Sequence, residues 1–316
     1  MKIPDVIYIA LGTDDKYCKY AGCCIASILL SAEKEDRFCF YVVDNGISAK
    51  NKSRLAKLQK LRPHELVFLK PDMVKLQDLP QCAYLGLSTY LRLLLPELLP
   101  EADRLLYLDC DMIVTKSLSE LWNADLHGKA AGVVEDYGEH YNRRAEALGI
   151  DFYFNAGMLL LDLKQIRERE LFREVMNWTL ENPEKVKFGD QDGLNVILRN
   201  DSMELPENWN IQINPYGVQE NMLDAGKVQV LEECCGILHY IMAPKPDKYE
   251  FSLPQKKYFL SVLAKTRWRG RFEKGSWGTR ITKLVKENAV YQWYRNHRIR
   301  LKKWLKGEKE REGNTI

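Results

Sequence analysis

The chain has 316 residues, 46% of them apolar and 29% charged, with a net charge of +3. That is enough to bury one large core, and with no run of eighteen uncharged apolar residues it excludes a membrane-spanning helix. Eight cysteines, four of them in the adjacent pairs Cys23-Cys24 and Cys234-Cys235 and none in a CxxC, exclude a zinc ribbon or thioredoxin motif and favour reduced, buried thiols over a disulfide framework.

The opening MKIPDVIYIALGTDD lacks a signal peptide's small-residue cleavage site and reads as a buried first strand. VIYIAL (6–11) is continuously apolar, as in a parallel sheet buried on both faces. It ends at Gly-Thr-Asp-Asp, and Tyr20, Cys23, Cys24, Ser27 and Ile28 then recur at helical spacing. FCFYVVD (38–44) is the second strand, again ending in an acid. A charged amphipathic helix over 48–61 and a strand at LVFLK follow. STYLRLLLPELLP reads as a helix that Pro96 interrupts or ends. DRLLYLDCDMIV, AAGVVED and FNAGMLLLDL are further strands.

Strands alternating with helices predict an α/β fold with a mostly parallel central sheet and helices on both faces. Chemistry in such sheets gathers beyond the carboxyl ends of strands. Four apolar runs end there in Asp14, Asp44, Asp109 with Asp111, and Asp136, which predicts one cleft along that edge.

YLDCDMIV (107–114) sets two aspartates inside an apolar run. An unpaired buried carboxylate neutralises or finds a cation. If the strand continued through Asp-Cys-Asp, both carboxylates would share a face and could grip one ion. Oxygen ligands suit Mg²⁺ and Mn²⁺, which complete their shells with water and substrate phosphates. The same pair also fits ordinary turn or N-cap aspartates.

With STYLRLLL before it, and FNAGMLLLDL, FGDQDGLN and LHYIMAPKP after it, YLDCDMIV resembles family 8 of the glycosyltransferases. That family includes bacterial lipopolysaccharide galactosyl- and glucosyltransferases and, more distantly, glycogenin. The resemblance runs in order from Ile7 to about Pro246. It implies a nucleotide-diphospho-sugar fold of the GT-A type, a UDP-sugar donor, Mn²⁺ (or Mg²⁺), and transfer of galactose or glucose with retention to a saccharide or lipid-linked acceptor. By the same resemblance Asp109, Asp111 and His239 hold the metal, and Cys110 lies among the donor contacts. Lys245 reaches the diphosphate, Asp14 meets the uracil edge and Tyr17 stacks on the base. Arg92 meets the donor sugar and phosphate, while Asp136, Asn155 and Ala156 contact sugar hydroxyls. Asp190 and Gln191 lie beside the anomeric carbon. An arginine in so apolar a segment needs an anionic partner, and the small Ala156-Gly157 pair lets a ligand approach closely. Asp190 is the more plausible nucleophile of its pair, and a double displacement and a front-face attack both stay open. Met242, Lys16 and Asp247 depart from the family pattern, where glycine, asparagine and tryptophan are frequent.

The alternatives are a phosphatase of the haloacid dehalogenase type, since a strand ending DxDxxVT looks similar, and a non-catalytic sugar-nucleotide-binding module. No GxGxxG follows the first strand, which disfavours a dinucleotide enzyme.

From Lys265 onward sixteen Lys/Arg stand against five Asp/Glu, a balance of +11 that leaves −8 for the first 264 residues. Residues 1–264 are therefore expected to form the catalytic domain, and 265–316 a basic tail. Trp268, Phe272, Trp277, Trp293 and Trp304 are set among its cations, which suits an interfacial helix on anionic lipid. The expectation is a cytoplasmic protein, peripheral at the inner face of the cell membrane, with no nucleic-acid partner.

Overall fold

The computed structural model describes residues 6–81, 86–136, 139–215 and 225–270. Ten strands lie in these segments: β1 (Val6–Thr13), β2 (Arg37–Asp44), β3 (Glu65–Leu69), β4 (Arg104–Leu108), β5 (Met112–Val114), β6 (Ala131–Glu135), β7 (Phe154–Asp162), β8 (Ser202–Glu204), β9 (Ile211–Gln212) and β10 (Ile237–His239). Seven form the central sheet in the order β3-β2-β1-β4-β7-β6-β8. All run parallel except β7, which is antiparallel to both of its neighbours. The mostly parallel sheet expected from the sequence is thus present. The reversal of β7 has no sequence signal, because a strand buried along both faces reads the same in either direction.

Alternation along β1 divides the core. Ile7, Ile9 and Leu11 face one apolar cluster together with the helix Cys18–Ser31. Ala10 faces the other, with Tyr90, Leu91, Leu105 and Tyr107. Helices therefore cover both faces. The helix Cys18–Ser31 is buried at every position from Tyr20 to Leu29, and its small residues allow that. A Cβ on Gly22 would run into the Trp268 ring.

Three sequence expectations change. DRLLYLDCDMIV is not one strand: β4 ends at Leu108, and the chain leaves the central sheet to begin β5 in a three-stranded sheet of order β5-β10-β9. STYLRLL lies in a 3₁₀ helix, Leu87–Leu94, and Pro96 falls in the first turn of the short helix Leu95–Leu98, where a missing N–H costs nothing. Trp268, read as part of the tail, is 2% exposed within the core of the body, so packed chain continues past Ala264. The rest of the expected tail, residues 271–316, lies outside the described residues.

Candidate active site

The paired aspartates sit where the chain passes from one sheet to the other. The Asp109 N–H donates to the Gly157 carbonyl at 2.8 Å, just past the last β4–β7 pair. Two residues later the Asp111 carbonyl accepts from the Tyr240 N–H at 3.0 Å, beside the Met112–His239 pair of β5 and β10. The carboxylates converge because this turn brings both toward β10, not because a strand places them on one face.

His239, at the end of β10, completes the group. Its Nε2 lies 3.4 Å from Asp111 Oδ1 and 3.7 Å from Asp109 Oδ2. One ligand atom from each residue falls within 4.8 Å of the others. Gly157 makes room for the ring, since a Cβ there would meet His239 Nδ1 at 2.8 Å. The close approach expected of Ala156-Gly157 is thus made in part by a protein side chain. Burial works against the charge of Asp111, but Lys245 and His239 more than offset it and hold the carboxyl below the ordinary carboxylate range. Two carboxylates and an imidazole around one point, already answered by a lysine cation, are a donor set that fits a divalent ion.

Arg92 shows what a 3₁₀ helix contributes. Three residues per turn put Thr89 and Arg92 on one side. Both meet Asp190, which opens the helix Asp190–Leu198. Thr89 donates its hydroxyl to Asp190 Oδ1 at 2.7 Å, and Arg92 Nε lies 2.7 Å from Oδ2. That second contact is ionic rather than an aligned hydrogen bond, because the Nε–H donates to the Thr89 carbonyl at 3.2 Å. The other end of the guanidinium reaches Asp109 at 3.3 Å and donates to the Ala156 carbonyl. The group lies over the Tyr107 ring, 4.5 Å from its centre. Burial disfavours the Arg92 charge, but Asp109 and Asp190 outweigh it and raise the pKa above the ordinary value. Burial pushes the Asp190 carboxyl up to about 6 against the pull of Arg92.

The antiparallel β7 brings its first residues, rather than its last, to this edge. Asn155 donates to Asp136 Oδ2 at 3.3 Å, and Gln191 donates to the same oxygen at 2.8 Å. Gln191 Oε1 accepts from the Ala156 N–H at 3.0 Å. Asp136, Asn155, Ala156 and Gln191 are therefore one bonded group. Asp190 is 1% exposed with Thr89 and Arg92 on its oxygens.

Lys245 ion-pairs with Asp111 and donates to the Tyr240 carbonyl at 2.7 Å. Tyr17 is 37% exposed, and its ring packs on Tyr20 at 5.2 Å. Burial raises its phenol pKa while nearby Lys245 opposes the shift. Asp14 Oδ1 accepts from the Tyr17 N–H at 2.7 Å. The Cys110 thiol donates to the Gly12 carbonyl at 2.9 Å. Asp44, expected on the same cleft, instead pairs with Lys52 and accepts the Ile47 N–H at 2.6 Å. Among the departures from the family pattern, Met242 has φ +62°, the left-handed region where glycine is at ease. Asp247 ion-pairs with Lys19 and accepts from the Tyr20 hydroxyl at 2.5 Å, so it is a packed, satisfied carboxylate.

The sequence model of glycosyl transferase family 8 matches residues 8–249. The chain belongs to glycosyl transferase family 8. The proteins it is similar to include general stress protein A of Bacillus subtilis (strain 168), 26% identical over 85% of this chain and 96% of that protein. The lipopolysaccharide 1,2-glucosyltransferase of Escherichia coli (strain K12) is 26% identical over 84% of this chain and 80% of its own. Among solved structures, galactosyltransferase LgtC in complex with donor and acceptor sugar analogues superposes with a TM-score of 0.72 at 24% identity, covering 84% of this chain and 100% of that one. The fold is GT-A. The phosphatase alternative falls with the family match.

Family 8 membership does not by itself point to the residues that sequence reading missed. Thr89 was legible in principle, three positions before Arg92. Tyr107, whose hydroxyl donates to Asp109 at 2.8 Å, stands two residues before it in the same run. Asp192 accepts from Arg144, Tyr153 and the N–H groups of Lys187 and Phe188, which pins the turn into the helix Asp190–Leu198. Asn210 sits 3.1 Å from His239 Nδ1, and nothing in ENWN marks it.

Proposed function

We propose that this chain is a retaining, divalent-metal-dependent hexosyltransferase that moves galactose or glucose from a UDP-sugar to a saccharide or lipid-linked acceptor of the lipopolysaccharide type. The observation that carries the reading is the meeting of Asp109, Asp111 and His239 with Arg92, Lys245 and the Asp136–Asn155–Gln191 group at one sheet edge. Asp109, Asp111 and His239 would hold Mn²⁺ or Mg²⁺, which supplies Lewis-acid neutralisation of a departing diphosphate. Lys245 brings a further cation to the same end of the site. Arg92 is held by Asp190 and Thr89, so that its charge is fixed before any donor arrives. Asp14 and Tyr17 are assigned to the base, and Asp136, Asn155 and Ala156 to the sugar hydroxyls.

In the transfer the bond from C1 to the UDP oxygen breaks and its electron pair leaves with UDP. The acceptor oxygen bonds C1 on the same face, and its proton passes to the released phosphate. Gln191, a neutral amide tied at both ends, is a poor nucleophile suited to lining the reacting face. Asp190, enclosed and paired, is read as the anchor of Arg92, which favours front-face attack over a covalent intermediate.

A panel of UDP-galactose, UDP-glucose, GDP- and ADP-sugars with Mn²⁺ tests this. The expected result is metal-dependent hydrolysis of one UDP-sugar and an α linkage in the first-formed product from an α-linked donor. No hydrolysis of any UDP-sugar would favour a non-catalytic binding module. Residues 271–316 are proposed to hold the enzyme at an anionic membrane face. Sedimentation with phosphatidylglycerol vesicles at low and high salt should then separate the full chain from one ending at Gly270, because screening shortens to about 3 Å at 1 M salt.

A further inference from the structure

The amides behind His239 have only one consistent set of orientations, and backbone groups fix it. The Gly157 N–H donates to Asn155 Oδ1 at 3.0 Å, so that atom is an acceptor. Asn210 meets the same oxygen at 3.0 Å and must present its NH₂. Its own oxygen is therefore the atom 3.1 Å from His239 Nδ1. A carbonyl oxygen only accepts, so Nδ1 carries the proton and the Nε2 lone pair faces Asp109 and Asp111. On the far side, the Ala156 N–H fixes Gln191 Oε1, so the Gln191 NH₂ points to Asp136. The Asn155 NH₂ points to the same carboxylate. Two consecutive N–H groups on β7 thus orient a chain of side chains from Gln191 through Asp136, Asn155 and Asn210 to His239.

We propose that Asn210 is a positioning residue. It holds the proton of His239 on Nδ1, keeps Nε2 open as a ligand, and ties that ligand to the pocket assigned to the donor sugar. This rests on the metal-site reading above. Asn210 is 0% exposed and contacts neither carboxylate of the metal group, so it acts only through His239 and Asn155. Without it, the ring can turn its proton onto Nε2 and donate to Asp111, which blocks the ligand position. Partners of this kind behind a metal-binding histidine are commonly worth about 10- to 100-fold in metal affinity.

The test compares the full-length parent with Asn210→Asp and Asn210→Leu. Asp can still accept from Nδ1 but faces Asn155 Oδ1 with a like acceptor, whereas Leu offers neither contact. Nitrogen-15 NMR of the His239 ring in metal-free protein at alkaline pH should show the proton on Nδ1 in the parent and the Asp variant, and on Nε2 in the Leu variant. Mn²⁺ affinity with UDP, read from the free-ion paramagnetic resonance signal, should fall about 10- to 100-fold in the Leu variant and be largely retained with Asp. The same tautomer in all three proteins would overturn the proposal. So would a Leu variant that binds Mn²⁺ as the parent does. The tautomer measurement needs no metal. A parent that binds no Mn²⁺ would therefore refute the metal-site reading while leaving Asn210's role decided by NMR.

Discussion

Arg92 and Asp190 form an enclosed ion pair, 2.7 Å apart, with side chains 6% and 1% exposed. Such a pair is asymmetric: removing Asp190 leaves the buried guanidinium with only the more distant Asp109 carboxylate, a loss of at most about 3–5 kcal/mol. Asp190→Ala is therefore expected to destabilise the fold by up to that amount in urea unfolding. Arg92→Leu together with Asp190→Leu should cost much less than either alone.

The same pair gives a pH signature. Asp190 titrates near 6 when folded, against 3.8 ordinarily, because burial outweighs Arg92. Between those values the folded chain holds a proton that the unfolded chain has released, so this group's contribution to stability falls as pH rises through the window. Two units correspond to about 3 kcal/mol. Asp111, held low, contributes the opposite slope: stability present above its unfolded pKa and lost as pH falls toward its folded one. Subtracting the stability of Asp190→Asn from that of the parent at each pH from 4 to 7 should leave a downward slope. A flat difference would mean that Asp190 is not raised.

Asp109→Asn and Asp111→Asn should each abolish stabilisation by Mn²⁺ with UDP. In the parent, ligand at a hundredfold excess over Kd should add about 2.7 kcal/mol, several degrees in a thermal shift. Shifts in both variants equal to the parent's would remove these residues from the metal site.

Gly157→Ala inserts a methyl where the His239 ring sits. Neither the strand nor a ring fixed by Asn210 yields easily, so a loss of about 1–3 kcal/mol is expected, together with weaker Mn²⁺ binding than in the parent. The control is Gly46→Ala, where a Cβ meets nothing within 4 Å and φ is +88°: backbone strain without effect on the metal.

Trp268 tests where the body stops. It packs over Gly22 beneath Arg54, so Trp268→Ala should cost about 3–5 kcal/mol. A chain ending at Ala264 should be weakened similarly relative to one ending at Gly270, which keeps Trp268 in place.

Much of this was legible in the sequence. Apolar runs such as VIYIAL and FCFYVVD became β1 and β2, and the pair in YLDCDMIV meets His239, whereas Asp44 at the end of β2 pairs with Lys52. Three features were hidden, each for a physical reason. A strand buried on both faces carries no sign of its direction, so β7's reversal was invisible. The short i,i+3 period of the Leu87–Leu94 segment differs little from a helix over two turns. Asn210 acts across 29 positions through an amide, a group that polar loops use everywhere. Charge concentrates in few places and advertises itself, whereas a neutral relay does not.

The passage of the chain from β4 to β5 and back through β10 also sets an order of assembly during synthesis. Chains emerge N-terminal end first, so Asp109 and Asp111 appear early and wait for His239 and Lys245. Until β10 pairs with β5, two like charges stand together without their imidazole or their ammonium. The nascent protein thus carries a half-made centre that does not resemble the finished one. The centre is completed as a single late event, when β10 closes on β5.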